Sequence, residues 1–328
     1  MIIGSTGERP RRIEDLVEGP LLARLERLDV RTRKMFPGKL QGERRSKRRG
    51  RSVEFEDYRH YLPGDDLRHI DWNVYARMDR LFIKIFQEEE DLAVHLVVDA
   101  SASMEAGDPT KLLMAARLAM ALGYIGLVKQ NRVGVSVIGL PPSRDGGVGV
   151  ARLEDVRGRR HVTRLGAFLL DSIWGERDLA AGGRGPREGA GFNAALRTIA
   201  RARVGKGVMV ILSDFLEEAG YQEGLKGLAA AGGYDTCCVQ ILAPGELEPE
   251  KQPGVAGDVR LTDVETGRAA EVTITAPVLR KYKERVEAYC RELERFCLAH
   301  EMQHVLVRSD ASVEHIVMET LRRRGVVG

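Results

Sequence analysis

Residues 92–103 read Leu92-Ala93-Val94-His95-Leu96-Val97-Val98-Asp99-Ala100-Ser101-Ala102-Ser103. A short run this rich in Val and Leu, without polar alternation, is expected to form a strand buried on both faces of a parallel sheet. It ends on a carboxylate, and two hydroxyls come next at alternate positions before a helix begins. In an open α/β sheet, ligands collect at the carboxyl ends of strands. Oxygen donors there suit a hard divalent cation such as Mg²⁺, which prefers six oxygen ligands and keeps several waters. A helix N-cap competes as a reading, because Ser and Asp also satisfy the free N–H groups at a helix start.

Outward from this strand the pattern alternates. Helices are expected over Thr110 to Lys129, Val162 to Trp174, Phe192 to Arg203 and Tyr221 to Ala231, and strands over Arg132 to Leu140, Val148 to Val156, Val208 to Leu212 and Thr236 to Leu242. Ala180 to Gly191 is glycine-rich and polar, which marks a loop. The regularity then gives way to a hairpin over Val259 to Thr275 about Glu265-Thr266-Gly267, a long helix over Pro277 to His300, a strand over Gln303 to Val307 and a last helix over Val313 to Arg323. Alternating strands and helices imply an α/β fold with a doubly wound, mainly parallel sheet covered on both faces.

Asp-x-Ser-x-Ser at a strand end resembles the metal-ion-dependent adhesion site of von Willebrand factor A domains. The resemblance implies three converging loops. Asp99, Ser101 and Ser103 form the first. The second normally offers a threonine, and here Asn193 in Gly191-Phe192-Asn193-Ala194 stands in that place. The third is acidic, and Asp214 after Val208 to Ser213 fits. The expected metal set is therefore Asp99, Ser101, Ser103, Asn193 and Asp214, holding Mg²⁺ or Mn²⁺ with a position left open for a partner's carboxylate. The implied role is metal-mediated binding rather than catalysis.

Before the sheet, Ile13 to Val30 carries apolar residues at helical spacing, interrupted at Gly19-Pro20. Arg44, Arg45, Lys47, Arg48, Arg49 and Arg51 form a dense basic stretch, answered by Glu88-Glu89-Glu90. Val53 to Tyr61 and Leu81 to Phe86 alternate as half-buried strands do. Between them Pro63-Gly64 makes a turn and Asp65 or Asp66 is placed to cap the short helical or irregular corner after it. Arg59, Arg68 and Arg77 are placed to pair with Asp66 and Asp71, and Trp72 is expected to bury its ring. His60 and His69 read as surface or hydrogen-bonded residues. Two domains are expected: residues 1–90, with the N-terminal helix, the basic loop and a small β subdomain, and residues 91–328, a von Willebrand factor A-like domain.

Gly50-Arg51-Ser52-Val53-Glu54-Phe55-Glu56-Asp57-Tyr58-Arg59, then Tyr61-Leu62-Pro63-Gly64-Asp65-Asp66-Leu67-Arg68-His69-Ile70-Asp71-Trp72, Ala76-Arg77 and Leu81-Phe82-Ile83-Lys84 resemble the bacterial and archaeal family catalogued as domain of unknown function 58. The tail agrees, from Asp263 and Glu265-Thr266-Gly267 through Tyr282 to Leu321-Arg322-Arg323-Arg324-Gly325. The resemblance covers nearly the whole chain. It implies a von Willebrand factor A-like fold and a partnership with a MoxR-type AAA+ ATPase in chaperone-like or assembly work on a protein client.

Composition narrows the alternatives. The 328 residues carry 51 Lys and Arg against 48 Asp and Glu, so a net charge of +3 gives no whole-chain field for nucleic acid. The basic stretch lacks interleaved aromatics, which disfavours a stacking platform for single strands. Cys237, Cys238, Cys290 and Cys297 lack zinc-site spacing and are expected to be free thiols in a reducing compartment. With no apolar N-terminal leader and no apolar stretch judged long enough for a bilayer, the chain is expected to be cytoplasmic. No phosphate-binding loop and no His-Glu-x-x-His occurs. The reading is a non-enzymatic, metal-dependent protein-binding module. The alternatives are a metal-dependent phosphoester hydrolase using Asp99 and Asp214, and a nucleic-acid-binding module using Arg44 to Arg51.

Overall fold

In the computed structural model, residues 9–33, 54–62, 67, 70–87, 92–142, 148–175, 191–202, 206–251, 257–262 and 269–328 are described. The N-terminal segment holds a 3-10 turn at Ile13–Asp15 and helix α1 (Gly19–Leu25). Gly19-Pro20 starts this helix rather than interrupting it. Proline is tolerated in a first turn because the N–H it lacks has no intrahelical partner there.

The small unit spans residues 35–91. In it, β1 (Glu54–His60) and β2 (Phe82–Gln87) pair antiparallel from His60↔Phe82 to Glu54↔Gln87, with a bulge between Phe55 and Asp57. Helix α2 (Trp72–Met78) lies between them. Asp71 is its cap, its carboxylate accepting from the amides of Asn73 at 2.9 Å and Val74 at 3.2 Å. The His60 ring lies 4.4 Å from that of Phe82. Trp72 is not buried. It is 62% exposed and meets only the edge of Tyr75 among the described rings. Ile70 and Asp71 beside it in sequence are buried. The basic stretch 44–51, the acidic run 88–90, residues 63–66, Arg68, His69, the glycine-rich 180–190 and the hairpin turn 263–268 lie outside the described residues.

The larger unit takes residues 1–34 and 92–328. Its sheet is built from β3 (Ala93–Asp99), β4 (Arg132–Ile138), β5 (Ala151–Arg157), β6 (Gly207–Ser213), β7 (Tyr234–Leu242) and β10 (Gln303–Arg308). Helix α3 (Lys111–Val128) links β3 to β4, α4 (Val162–Trp174) and α5 (Phe192–Ala202) link β5 to β6, and α6 (Gln222–Ala231) links β6 to β7. After β7 come the short α7 (Pro244–Leu247), the antiparallel pair β8 (Gly257–Thr262) and β9 (Ala269–Ile274), and the long α8 (Ala276–Ala299). A helical turn α9 (Val313–His315) runs on into a π-helical segment, Ile316–Leu321.

The strand order is β10-β7-β6-β3-β4-β5, parallel throughout except for the edge strand β5. Numbered along the sheet domain, this is the doubly wound order 6-5-4-1-2-3, and the winding reverses between β3 and β6. Ligands bind in such sheets at the reversal, beyond the strand carboxyl ends. The expected α/β fold with a doubly wound, mainly parallel sheet is therefore present, with its switch point beside Asp99.

Two apolar layers cover the sheet, as successive side chains of a strand point to opposite faces. Val94, Leu96 and Val98 of β3 face the layer that holds α3, while Ala93 and Val97 face the layer built from α5, α6 and α8. Fifteen of the 18 residues of α3 are buried. By length and composition this helix is apolar enough to cross a bilayer, contrary to the expectation for the chain, and here it is the core helix of the fold. Gly126 lets α3 approach the sheet, since a Cβ there would come 2.7 Å from Val133 Cγ2.

The N-terminal segment, expected to go with residues up to 90, groups with this unit instead. Leu16, Val17, Leu25, Leu28 and Val30 are buried in the layer of α3. Residues 29–31 pair with the C-terminus, Asp29 and Gly328 exchanging both amide bonds at 2.8 Å. The Arg33 amide and guanidinium both donate to Asp235, at 2.6 and 3.2 Å. An amphipathic segment must bury its apolar face, and α3 with the C-terminal segment supplies the surface.

Candidate metal centre at the switch point

Asp99 closes β3 and is 2% exposed. Its Oδ1 accepts from the Ser101 amide at 2.9 Å, and its Oδ2 accepts from the Ser213 hydroxyl at 2.6 Å. The first bond bends the chain sharply after the strand. The second ties β3 to the adjacent end of β6. Gly139 makes the bend fit: at φ +72°, its missing Cβ would lie 2.5 Å from the Ser101 nitrogen and 3.0 Å from Asp99 Oδ1.

A 3-10 turn, Ala102–Glu105, comes next, with Ser101 at its N-terminus. The Ser101 hydroxyl makes no capping bond. It meets the Ser103 hydroxyl at 3.1 Å. Adjacent ligands of an octahedron with Mg–O distances of 2.0–2.1 Å stand about 2.9 Å apart. The two hydroxyls therefore form one edge of the right size for Mg²⁺, with the Asp99 carboxylate behind them. The donors are hydroxyls: among the described residues no group of three or more His, Cys, Asp or Glu is placed to hold a metal.

Asp214 comes directly after β6 and is 1% exposed. Its Oδ1 accepts from the Leu216 amide at 3.0 Å. Its Oδ2 accepts from the ammonium of Lys111 at 2.7 Å. Lys111 is 0% exposed, and its Nζ also donates to Glu246 Oε1 at 2.6 Å. Glu246 Oε2 in turn accepts from the Ala243 amide at 2.7 Å, closing the first turn of α7. The cluster thus joins the ends of β3, β6 and β7 to the first residue of α3.

Electrostatics follows from this layout. Burial pushes the Asp99 carboxyl up to about 6, the negative charge of Asp214 pushes the same way, and the bonds from Ser213 and Ser101 oppose both. For Lys111 burial pulls downward, but the carboxylates of Asp214 and Glu246 outweigh it and hold the ammonium above its ordinary value. Asp214 thus has a cation beside it, while the hydrogen bonds of Asp99 come from neutral donors.

The geometry brings together four of the five expected site residues: Asp99, Ser101, Ser103 and Asp214. Asn193 is bonded to backbone groups instead. That side chain donates to the Gly220 carbonyl at 2.6 Å and accepts from the Gly224 amide at 2.7 Å, so it ties the start of α5 to the start of α6. A threonine hydroxyl would not span those two backbone groups as a carboxamide does.

Ser213, Gly139, Lys111 and Glu246 were not foreseen. Lys111 carried a signal. A cation at the first position of a helix opposes the helix dipole, so an apolar helix that opens on lysine calls for a carboxylate opposite it. Gly139 carried one too, as a glycine at the end of a strand expected to neighbour β3.

The family described as protein of unknown function DUF58 matches residues 57–292. Uncharacterized proteins of Mycobacterium bovis and Mycobacterium tuberculosis are 29% identical over 268 residues, covering 81% of this chain and 77% of theirs. Among solved structures, the conserved hypothetical protein BatB from Bacteroides thetaiotaomicron is similar at a TM-score of 0.41 and 15% identity, over 71% of this chain and 98% of that one. The pilus adhesin SpaC from Lactobacillus rhamnosus GG, in its open conformation, is similar at a TM-score of 0.40 and 11% identity, over 73% of this chain and 30% of that one. With its sheet, its switch point and a matched region spanning most of its length, the chain belongs to the DUF58 family.

Proposed function

We propose that this protein is a metal-dependent protein-binding module that grips an acidic group of its partner through a divalent cation at the end of β3. The observation that carries the reading is the 3.1 Å hydroxyl pair of Ser101 and Ser103 set in front of the buried Asp99. Bound there, Mg²⁺ or Mn²⁺ would supply a Lewis-acidic site open to a carboxylate. Ser101 and Ser103 would hold it, Asp99 would balance its charge, and Ser213 would keep Asp99 in place. The residues nearby favour binding over turnover. Asp214, the carboxylate that a hydrolase would need free, is held by Lys111 and the Leu216 amide.

The partner in this proposal is a MoxR-type AAA+ ATPase, which brings the nucleotide chemistry that this sequence has no phosphate-binding loop to perform. Co-purification from the native host tests it. Recovery of the ATPase in Mg²⁺, with loss in chelator and in Ser101→Ala, is the expected result. Equal recovery in all three conditions would remove the metal from the interface.

A further inference from the structure

We propose that Lys111 is the site's own resident cation: its ammonium, fixed between Asp214 and Glu246, holds the carboxylate that a divalent ion would otherwise use and so keeps the exchangeable metal weak. The inference deepens the metal-binding reading and rests on it.

Three observations carry it. Lys111 has no exposed surface, and its Nζ lies 2.7 Å from Asp214 and 2.6 Å from Glu246. The ammonium and the Leu216 amide between them engage both oxygens of Asp214. Asp99 and the two serine hydroxyls bond to one another, to Ser213 and to a backbone amide, all of them neutral donors. Two poles result. At one, two carboxylates meet a covalently attached positive charge. At the other, one carboxylate and two hydroxyls face a cation from solution. An ammonium bonded to Asp214 also offsets the negative charge that this carboxylate would otherwise present to that incoming ion, a loss that matters more at low effective dielectric.

Lysine is suited to this role. A buried charge is tolerated when paired and hydrogen-bonded. Two carboxylates, one beyond each of two neighbouring strand ends, satisfy two of the three ammonium donors. An exchangeable metal would stiffen the loops after β3 and β6 only when bound. Lys111 does so permanently for β6 and β7, leaving the β3 pole as the part that responds to metal and partner.

The test is metal affinity, read by calorimetry and by the shift in melting temperature on adding Mg²⁺ or Mn²⁺. Lys111→Met alone leaves two buried carboxylates unpaired and risks unfolding, so Lys111→Met/Glu246→Gln is made beside it, and Lys111→Arg serves as the charge-preserving control. The expected result is metal affinity at least tenfold tighter in the double variant than in the wild type, with Lys111→Arg close to the wild type. Equal affinity in wild type and double variant would overturn the role of Lys111 and leave the metal reading standing. Tight binding in the double variant with none in the wild type would support the role of Lys111 and refute metal-dependent binding by the native protein. No binding in any variant would refute both.

Discussion

Asp99→Asn should stabilise the metal-free protein, although it removes a buried hydrogen-bonded carboxylate. Asp99 is raised from 3.8 to about 6 by burial and by Asp214. Its folded-state value lies above its unfolded one, so between about pH 4 and pH 6 the folded protein binds more protons than the unfolded chain, and stability falls as pH rises through that window. At about 1.4 kcal/mol per unit, the difference costs about 3 kcal/mol above pH 6. Asparagine removes that cost. It keeps an acceptor for the Ser101 amide, but its NH₂ replaces the oxygen that accepts from Ser213. The Ser213 oxygen already accepts from the Phe215 amide at 2.9 Å and has a second lone pair for the new donor, while its own hydroxyl proton loses its partner. That loss is worth about 1 kcal/mol. The net gain is about 2 kcal/mol, or roughly 4–8 °C in Tm for a domain of this size.

The assay is thermal and denaturant unfolding of both proteins from about pH 4 to about pH 7.5, in chelator and in Mg²⁺. In chelator the wild type should lose stability toward neutral pH while Asp99→Asn stays flatter and finishes above it. In Mg²⁺ the order should reverse, because only the wild type gains from ligand mass action. A wild type with no pH slope in chelator, or an Asp99→Asn protein less stable than it above pH 6, would show that the end of β3 is not an unrelieved negative pole, and a cation would have no electrostatic reason to settle there.

Gly139→Ala should cost about 2 kcal/mol from its left-handed backbone alone, and more from the contact with Ser101, and should abolish the Mg²⁺ response in calorimetry. Asn193→Ala should destabilise by about 1–3 kcal/mol through two lost buried bonds in denaturant titration, yet leave metal affinity unchanged within about twofold. Trp72→Ala should shift the unfolding free energy by no more than about 0.5 kcal/mol in the same titration, as expected for an exposed side chain outside a core.

The sheet was legible because burial on both faces leaves a mark in sequence. Leu92 to Val98, interrupted only by His95, and Val208 to Leu212 are apolar runs, and the structure places both at the centre of the sheet. The first and third loops of the site were legible for the same reason, since each begins where such a run stops. Asn193 was read as a ligand by residue type alone, whereas the bonds it makes, to Gly220 and Gly224, join it to residues 27 and 31 positions away and leave no local pattern. Trp72 was expected to be buried from its residue type alone, and in the structure its ring is exposed. The N-terminal segment, amphipathic in sequence, gave no indication of which surface it would cover.

The charge balance of the site depends on the three-dimensional contacts. Asp99, Asp214 and Glu246 are three formal negative charges, and the buried Lys111 supplies one positive. Two negative charges remain, the charge of one Mg²⁺ ion. They are not placed evenly. Glu246 and Asp214 are tied to the ammonium, so the unmet demand falls on Asp99, where the serine hydroxyls stand at an octahedral spacing. A divalent ion bound there, as proposed, would meet a matching charge, and an acidic group from a partner would take a coordination position that the serines and Asp99 leave open. The metal would then be held most firmly when the partner's carboxylate completes its coordination in place of water, which makes metal and partner mutually dependent ligands.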